Sequence, residues 1–298
     1  MHHLATFYQF LSLDELPLKR ERALARAAEL ELKGTILLAA EGINAALCGS
    51  RDSVDAMLAW LESKWGVQPP FINRQMIDQP AFRRLKVRIR PEIIRFDQPW
   101  NDHVPELGEH LTPAEWNRLL DQPGLRLVDT RNDYEVGLGS FEGAENPHID
   151  SFTEFARWAE EHLDPAEPVA MFCTGGVRCE KASAWLKARG FQRVYQLAGG
   201  ILNYLDQVPS PQSRWRGECF VFDDRISLDH QLQPTDRPVC QACRKPCNDI
   251  DDDRLPPLDQ NRRCIPCGQL IEQKHEAGMR ERARQIRIAR ERGGQHLA

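Results

Sequence analysis

The sequence predicts an α/β protein: an N-terminal α+β domain, a central parallel sheet, and a small Cys-rich C-terminal segment with a basic tail. Three observations carry this. The first 95 residues alternate strand and helix signals in the order β-α-β-β-α-β; from Leu125 onward short apolar strands alternate with helices; and five cysteines lie between positions 240 and 267. At 298 residues the chain has room for two or three domains. The apolar runs 36–40 and 169–173 are strand-length, far short of the ~18 residues a membrane helix needs. The first residues lack the apolar core of a signal peptide. A cytoplasmic protein with no membrane partner is expected, with its 9 cysteines reduced and serving as catalytic, metal-binding or buried groups. A net charge of -5 excludes a globally basic nucleic-acid binder and leaves room for local basic surfaces.

The N-terminal domain is expected over 1–95. An apolar run at 7–11 leads into a helix-forming stretch to Leu32, which Gly34 breaks; Thr35-Ile36-Leu37-Leu38 reads as a buried strand. Gly42 and Asn44 turn the chain into 45–47, and Ser50 opens a helix with Val54, Met57, Leu58 and Leu61 at helical spacing. After Pro69-Pro70, residues 85–89 form the last strand of a ferredoxin-like split βαβ unit. Because side chains alternate along a strand, Leu85, Val87 and Ile89 share one face; Arg84, Lys86, Arg88 and Arg90 share the other. That cationic face is either simply solvated or a contact for RNA or another anion.

Residues 96–120, rich in Pro, His and acids, read as a linker, ending in a helix start at Thr112-Pro113-Ala114-Glu115. The central domain is expected over 121–215. Strands at 125–129, 169–172 and 193–197 alternate with helices at 151–163, 180–189 and 201–208, the pattern of a parallel sheet covered on both faces.

Within it, Cys173-Thr174-Gly175-Gly176-Val177-Arg178-Cys179-Glu180-Lys181 follows a buried strand and opens a helix. Carboxyl ends of strands in open α/β sheets are where ligands bind. Gly175 and Gly176 let the backbone curl until several N–H groups point at one spot, while Arg178 and the helix N-terminus add positive potential. Each effect favours thiolate over thiol, so Cys173 is expected to be ionised near neutrality and nucleophilic. The Cys-x4-Arg loop is one residue shorter than that of cysteine phosphatases; it crowds phosphate and suits a persulfide or another small group on sulfur. Cys179 reads either as a resolving thiol for Cys173 or as a small residue packed in the helix's first turn. His148-Ile149-Asp150 reads as a turn rather than the start of an iron triad.

Asp129-Thr130-Arg131 with Glu135, the Cys173 loop and Gly199-Gly200-Ile201 resemble the landmarks of a rhodanese domain, whose loop cysteine carries a persulfide. The longer Cys173–Lys181 string narrows the resemblance. With Gly42-Ile43-Asn44, the run 83–88, the run 131–135 and Gly217-Glu218-Cys219-Phe220-Val221-Phe222-Asp223, the chain resembles the tRNA uridine hydroxylase (TrhO) family over nearly its whole length. That resemblance implies an N-terminal ferredoxin- or acylphosphatase-like domain joined to a rhodanese-like parallel sheet. It also implies oxygen-dependent conversion of the tRNA wobble uridine to 5-hydroxyuridine, with molecular oxygen as co-substrate and Cys173 and Arg178 at the site. Asp129 and Arg131 are expected to shape the loop. Gly139-Ser140-Phe141 stands where ordinary rhodaneses more often have Gly-His-Ile. No flavin or nicotinamide motif is present. A Cys173 thiolate would serve hydroxylation either by adding to C6 of uracil, making C5 enolate-like, or by being oxidised itself and passing oxygen on.

From 216 to 272 the composition turns to Cys, Asp and Pro. Cys240-x2-Cys243 and Cys264-x2-Cys267 are two thiolate knuckles that can close a tetrahedral structural zinc site, with Cys247 as a competing ligand. The tail, 273–298, carries seven Lys/Arg against three acids and reads as a solvated helix or a tRNA-backbone contact. Three functions compete: the hydroxylase, a rhodanese-type persulfide sulfurtransferase, and a non-catalytic RNA-binding redox sensor.

Overall fold

The computed structural model describes residues 1–98, 106–235, 237, 246, 278, 281, 284, 285 and 288. The chain divides into two compact units, Met1–Gln233 and Pro234–Ala298. The four expected zinc ligands lie outside the described residues, as does most of the basic tail. No helix among the described residues is long and apolar enough to cross a membrane.

The N-terminal part contains β1 (His2–Phe10), α1 (Leu16–Glu29), β2 (Lys33–Ala39), β3 (Gly42–Gly49), α2 (Arg51–Trp65), β4 (Ile72–Ile77) and β5 (Leu85–Ile89). Its sheet runs β4-β1-β3-β2-β5, antiparallel except for the parallel β2–β5 pair. One expectation needs correction here. The fourth strand of the split βαβ unit is β4, and β5 is a fifth strand on the opposite edge. The polar centre Asn73-Arg74-Gln75 removes the apolar alternation that would have marked β4. Both helices pack on one face, where Ala23, Ala27, Val54, Met57 and Leu61 meet Ile36, Leu38, Ile43 and Leu47 in a buried core. Ser50 caps α2 by accepting the Ser53 N–H at 3.1 Å, and Gly66 ends it with φ +69°.

The central part contains β6 (Glu109–Leu111), α3 (Pro113–Leu119), β7 (Arg126–Asp129), α4 (Asp133–Val136), β8 (Gly139–Phe141), α5 (Phe155–His162), β9 (Val169–Phe172), α6 (Val177–Lys187), β10 (Val194–Leu197) and α7 (Gly200–Gln207). Its four-stranded sheet, β6-β10-β9-β7, is parallel throughout. β9 is buried along its whole length. Separate apolar clusters cover the two faces, one around Phe155, Ala182 and Leu186, the other around Trp116, Phe172 and Tyr204. Two boundaries move. The expected linker contains β6 and α3, whose Thr112–Glu115 capping box is formed; an edge strand of only three residues is too short to register as a periodic pattern. At the other end, β11 (Trp215–Gly217) pairs with β8, and β12 (Cys219–Phe220) pairs with β13 (Ser227–Leu228). Trp215, Cys219, Val221 and Leu228 complete the second apolar cluster, so residues 216–228 belong to this body rather than to the Cys-rich segment.

Candidate active site

β9 ends at Phe172, and the next residue is Cys173, only 2% exposed. The chain then turns through Thr174, Gly175 and Gly176 into α6. Gly176 takes φ +102°, and a Cβ there would lie 2.8 Å from the Tyr8 hydroxyl. The turn aims N–H groups inward: Gly176 donates to the Cys173 sulfur at 3.1 Å, and the Arg178 N–H donates to it as well. The loop's carbonyls face the other way. Those of Cys173 and Thr174 accept from Ile201 and Leu202 at 3.0 and 3.1 Å, at the start of α7. Gly199-Gly200 allows this approach, because Gly200 has φ +69° and a Cβ there would sit 2.6 Å from the Cys173 carbonyl oxygen.

Arg178 is 5% exposed, and its Nη2 donates to both Glu135 carboxylate oxygens at 3.1 and 2.8 Å. Glu135, fully buried in α4, also accepts the Asn132 N–H. The Arg178 Nη1 is buried and has no hydrogen-bond partner, an unmet donor in the wall around the sulfur. Asp129 and Arg131 form a fully buried ion pair at 2.6 Å. Arg131 donates to the Gly139 carbonyl and Ser140 to Asp129, so both support the β7–β8 turn from behind, outside the cavity. Ser140 thus occupies its unusual position as a hydrogen-bond donor to this pair.

Burial pushes the Cys173 thiol up, but the Cys179 thiol, the Arg178 guanidinium and the Arg178 and Gly176 N–H groups outweigh it and bring it down to about 6. Cys179 moves the opposite way. Its burial and its hydrogen bond to Cys173 hold it protonated, with Thr130 Oγ1 3.7 Å from its sulfur. It sits wholly buried in the first turn of α6, donating to the reactive sulfur.

Cys173 opens onto a cavity of about 340 Å³ whose far wall is the helix-free face of the N-terminal sheet. Thr6 and Tyr8 of β1, Thr35 and Leu37 of β2, Asn44 and Ala46 of β3, and Asn73 of β4 line it. Phe222, 62% exposed, stands at its side, 5.7 Å from the Arg178 guanidinium carbon. The walls are held together through α6. Tyr8 donates to Glu180 at 3.1 Å, and Lys181, with a fully buried side chain, pairs with Glu41 at 2.9 Å and with Glu92. Asn73 donates to the Gly199 carbonyl at 3.1 Å. The last two residues of the Cys173–Lys181 string therefore fasten the N-terminal domain over the loop. The register Thr35↔Lys86 and Leu37↔Arg88 places these two cations on the same sheet face as the cavity, and Arg84 and Arg90, both exposed, flank them.

Sequence reasoning missed Tyr8, Glu41, Asn73 and Glu92, which lie outside the quoted motifs; Asn44 and Phe222 fell in strings read as family markers without a role. His148 is exposed and pairs with Asp133 at 2.8 Å. Among the described residues no group of three or more metal-ligating side chains converges.

Comparison with known proteins agrees with this division. Residues 2–93 match the UPF0176 acylphosphatase-like domain, and residues 112–207 match the rhodanese-like domain. The chain has the domain architecture of the TrhO (UPF0176) family. Its rhodanese-like domain carries the loop cysteine, and the acylphosphatase-like domain forms the wall opposite that cysteine. Solved structures similar to parts of it include a rhodanese-like domain protein of Staphylococcus aureus (26% identity, 32% of this chain and 90% of that one, TM-score 0.27). A rhodanese-like domain from Anabaena sp. is 17% identical over 37% of this chain and 80% of that one, with TM-score 0.32. An acylphosphatase of Coxiella burnetii is 21% identical over 29% of this chain and 90% of that one, with TM-score 0.23.

Proposed function

We propose that the protein hydroxylates the wobble uridine of tRNA at C5, using oxygen as co-substrate and Cys173 as the nucleophile. The observation that carries this reading is where the sulfur opens: the Cys173 sulfur, held by the loop N–H groups beside Arg178, faces a cavity at the lower end of the ~300–1,000 Å³ range of ligand sites. The face forming its far wall continues into Lys86 and Arg88 at the β5 edge. A plain sulfurtransferase has no need of that cationic edge, whereas an RNA backbone does.

In this reading the thiolate adds to C6 of uracil, and C5 becomes enolate-like. C5 gains one oxygen atom; loss of its proton then expels the thiolate and restores the ring double bond. With dioxygen as oxidant, the second oxygen atom leaves as water and consumes two protons and two electrons from a reductant. The loop N–H groups and Arg178 hold the sulfur anionic before attack and receive it again after expulsion.

Persulfide sulfur transfer is the second reading, favoured by the Cys-x4-Arg loop and the unmet Arg178 Nη1, which together would cradle a terminal sulfur anion. Incubating unmodified tRNA with the protein and a reductant under air and under nitrogen, and in a separate arm with thiosulfate as sulfane-sulfur donor and no reductant, separates the readings by nucleoside mass spectrometry. A gain of one oxygen on uridine only under air is expected. A gain of sulfur points to the sulfurtransferase, and no change leaves the redox-sensing RNA binder.

A further inference from the structure

Resting on the hydroxylase reading, we propose that Asn44 is the specificity residue that recognises uracil, accepting a hydrogen bond from its N3–H. Asn44 lies on β3, the central strand of the cavity's far wall, in register with Tyr8, whose hydroxyl reaches over Gly176 beside the reactive loop. Its Nδ2 donates to the Ile93 carbonyl at 3.2 Å. A carbonyl only accepts, so this bond settles which end of the amide is nitrogen and leaves Oδ1 as the acceptor available to a ligand. The neighbouring lining groups Leu37, Ala46 and Ile93 are apolar, which makes an amide oxygen among them selective.

The amide is also held firmly. The Ile93 N–H donates to Glu41 at 2.7 Å, and Glu41 pairs with the buried Lys181 of α6. The helix that activates the sulfur thereby sets the position of the acceptor across the cavity. The other polar groups of the wall are less suited: Tyr8 is committed to Glu180, the Asn73 amide bridges to Gly199 from an edge strand, and the Thr6 and Thr35 hydroxyls can donate as readily as accept and so do not tell a donor from a lone pair. An acceptor at the wall's centre needs a donor on the base. Uracil presents N3–H, whereas cytosine presents a lone pair at N3, so the two pyrimidines are told apart by attraction and repulsion at one atom.

The test uses the full chain and three RNAs of one sequence carrying uridine, cytidine or 3-methyluridine at the reacting position. With the wild-type protein, kcat/KM is expected to fall about ten- to a hundredfold for cytidine and for 3-methyluridine. With Asn44→Ala, uridine falls toward the same level and the three RNAs converge to within about threefold. Equal reaction of uridine and 3-methyluridine with the wild type overturns the assignment, and so does undiminished discrimination by the variant. The wild-type arm involves no mutation and is independent of how well the variant folds. If no RNA gains oxygen, the hydroxylase reading fails on its own. Affinity for the same three RNAs then decides: a preference for uridine over 3-methyluridine that Asn44→Ala abolishes supports the assignment, and equal affinities overturn it.

Discussion

The two walls of the cavity differ in how the chain builds them. The reactive wall is one contiguous turn, Cys173 to Arg178, whose sulfur, N–H donors and guanidinium lie within six positions of one another. The facing wall gathers Thr6, Tyr8, Thr35, Asn44 and Asn73 from four strands of another domain. Local chain geometry can activate a thiol, because a helix N-terminus and two glycines suffice to converge its donors. Shaping a substrate site takes residues that only tertiary pairing brings together. The two meet in α6: its first turn serves the sulfur, and Glu180 and Lys181 hold the facing wall in place.

The largest effect tests the reactive wall alone. Cys173→Ser is expected to lower hydroxylation at least about 10³-fold by nucleoside mass spectrometry, with an unchanged melting curve. Retained turnover would move the chemistry off the loop altogether. Next comes the seam between the walls. Lys181→Met leaves the mostly buried carboxylates of Glu41 and Glu92 facing each other without their cation, and is expected to cost about 3–5 kcal/mol in denaturant unfolding. Replacing both acids together with Lys181 by Gln, Gln and Met should recover most of that loss.

The electrostatics of the loop give a third measurement. The alkylation rate of Cys173 should rise with pH around a midpoint of about 6 and level off above it, because the thiolate is the reacting form. Removing the cation and its partner together, Arg178→Met with Glu135→Gln, raises the thiol's pKa. The midpoint should move up and alkylation at pH 7 slow about tenfold. A fourth test compares two glycines. Gly200→Ala forces a Cβ against the Cys173 carbonyl at φ +69° and should destabilise by at least about 2 kcal/mol. Gly175→Ala meets open space, so it should leave the melting temperature within about 1 °C while its methyl intrudes on the cavity and lowers activity about tenfold. The smallest effect lies at the rim. Lys86→Gln with Arg88→Gln should lower the salt slope of tRNA affinity by about 2, roughly one per cation.

The reactive wall was readable because its chemistry is written consecutively: Cys173, both glycines and Arg178 needed only the knowledge that a strand precedes them and a helix follows. β1, β2 and β3 were legible only in part, as apolar runs at 7–11, 35–38 and 45–47 that are each shorter than the strand they mark; Gly42 and Asn44, read as a turn, belong to β3. β4 escaped notice because its central residues are polar, and β6 because it is three residues long. The roles of Tyr8, Asn44 and Lys181 were hidden for a different reason. A tyrosine, an asparagine and a lysine carry no spacing rule, and their meaning comes from partners 172, 49 and 140 positions away. The register of β5 shows how close the reading could come. Alternation correctly put Lys86 and Arg88 on one face, but only the pairing with Thr35 and Leu37 reveals that this face carries the cavity.

Lys181 has a practical consequence for anyone recombining these modules. Its ammonium is fully enclosed between two acids supplied by the preceding domain, so a chimera joining this N-terminal domain to a different rhodanese must transplant Glu180 and Lys181 with it. Conversely, the central domain expressed by itself would expose the Lys181 ammonium without its two acids, and solubility screens of truncated versions should begin by neutralising that cation.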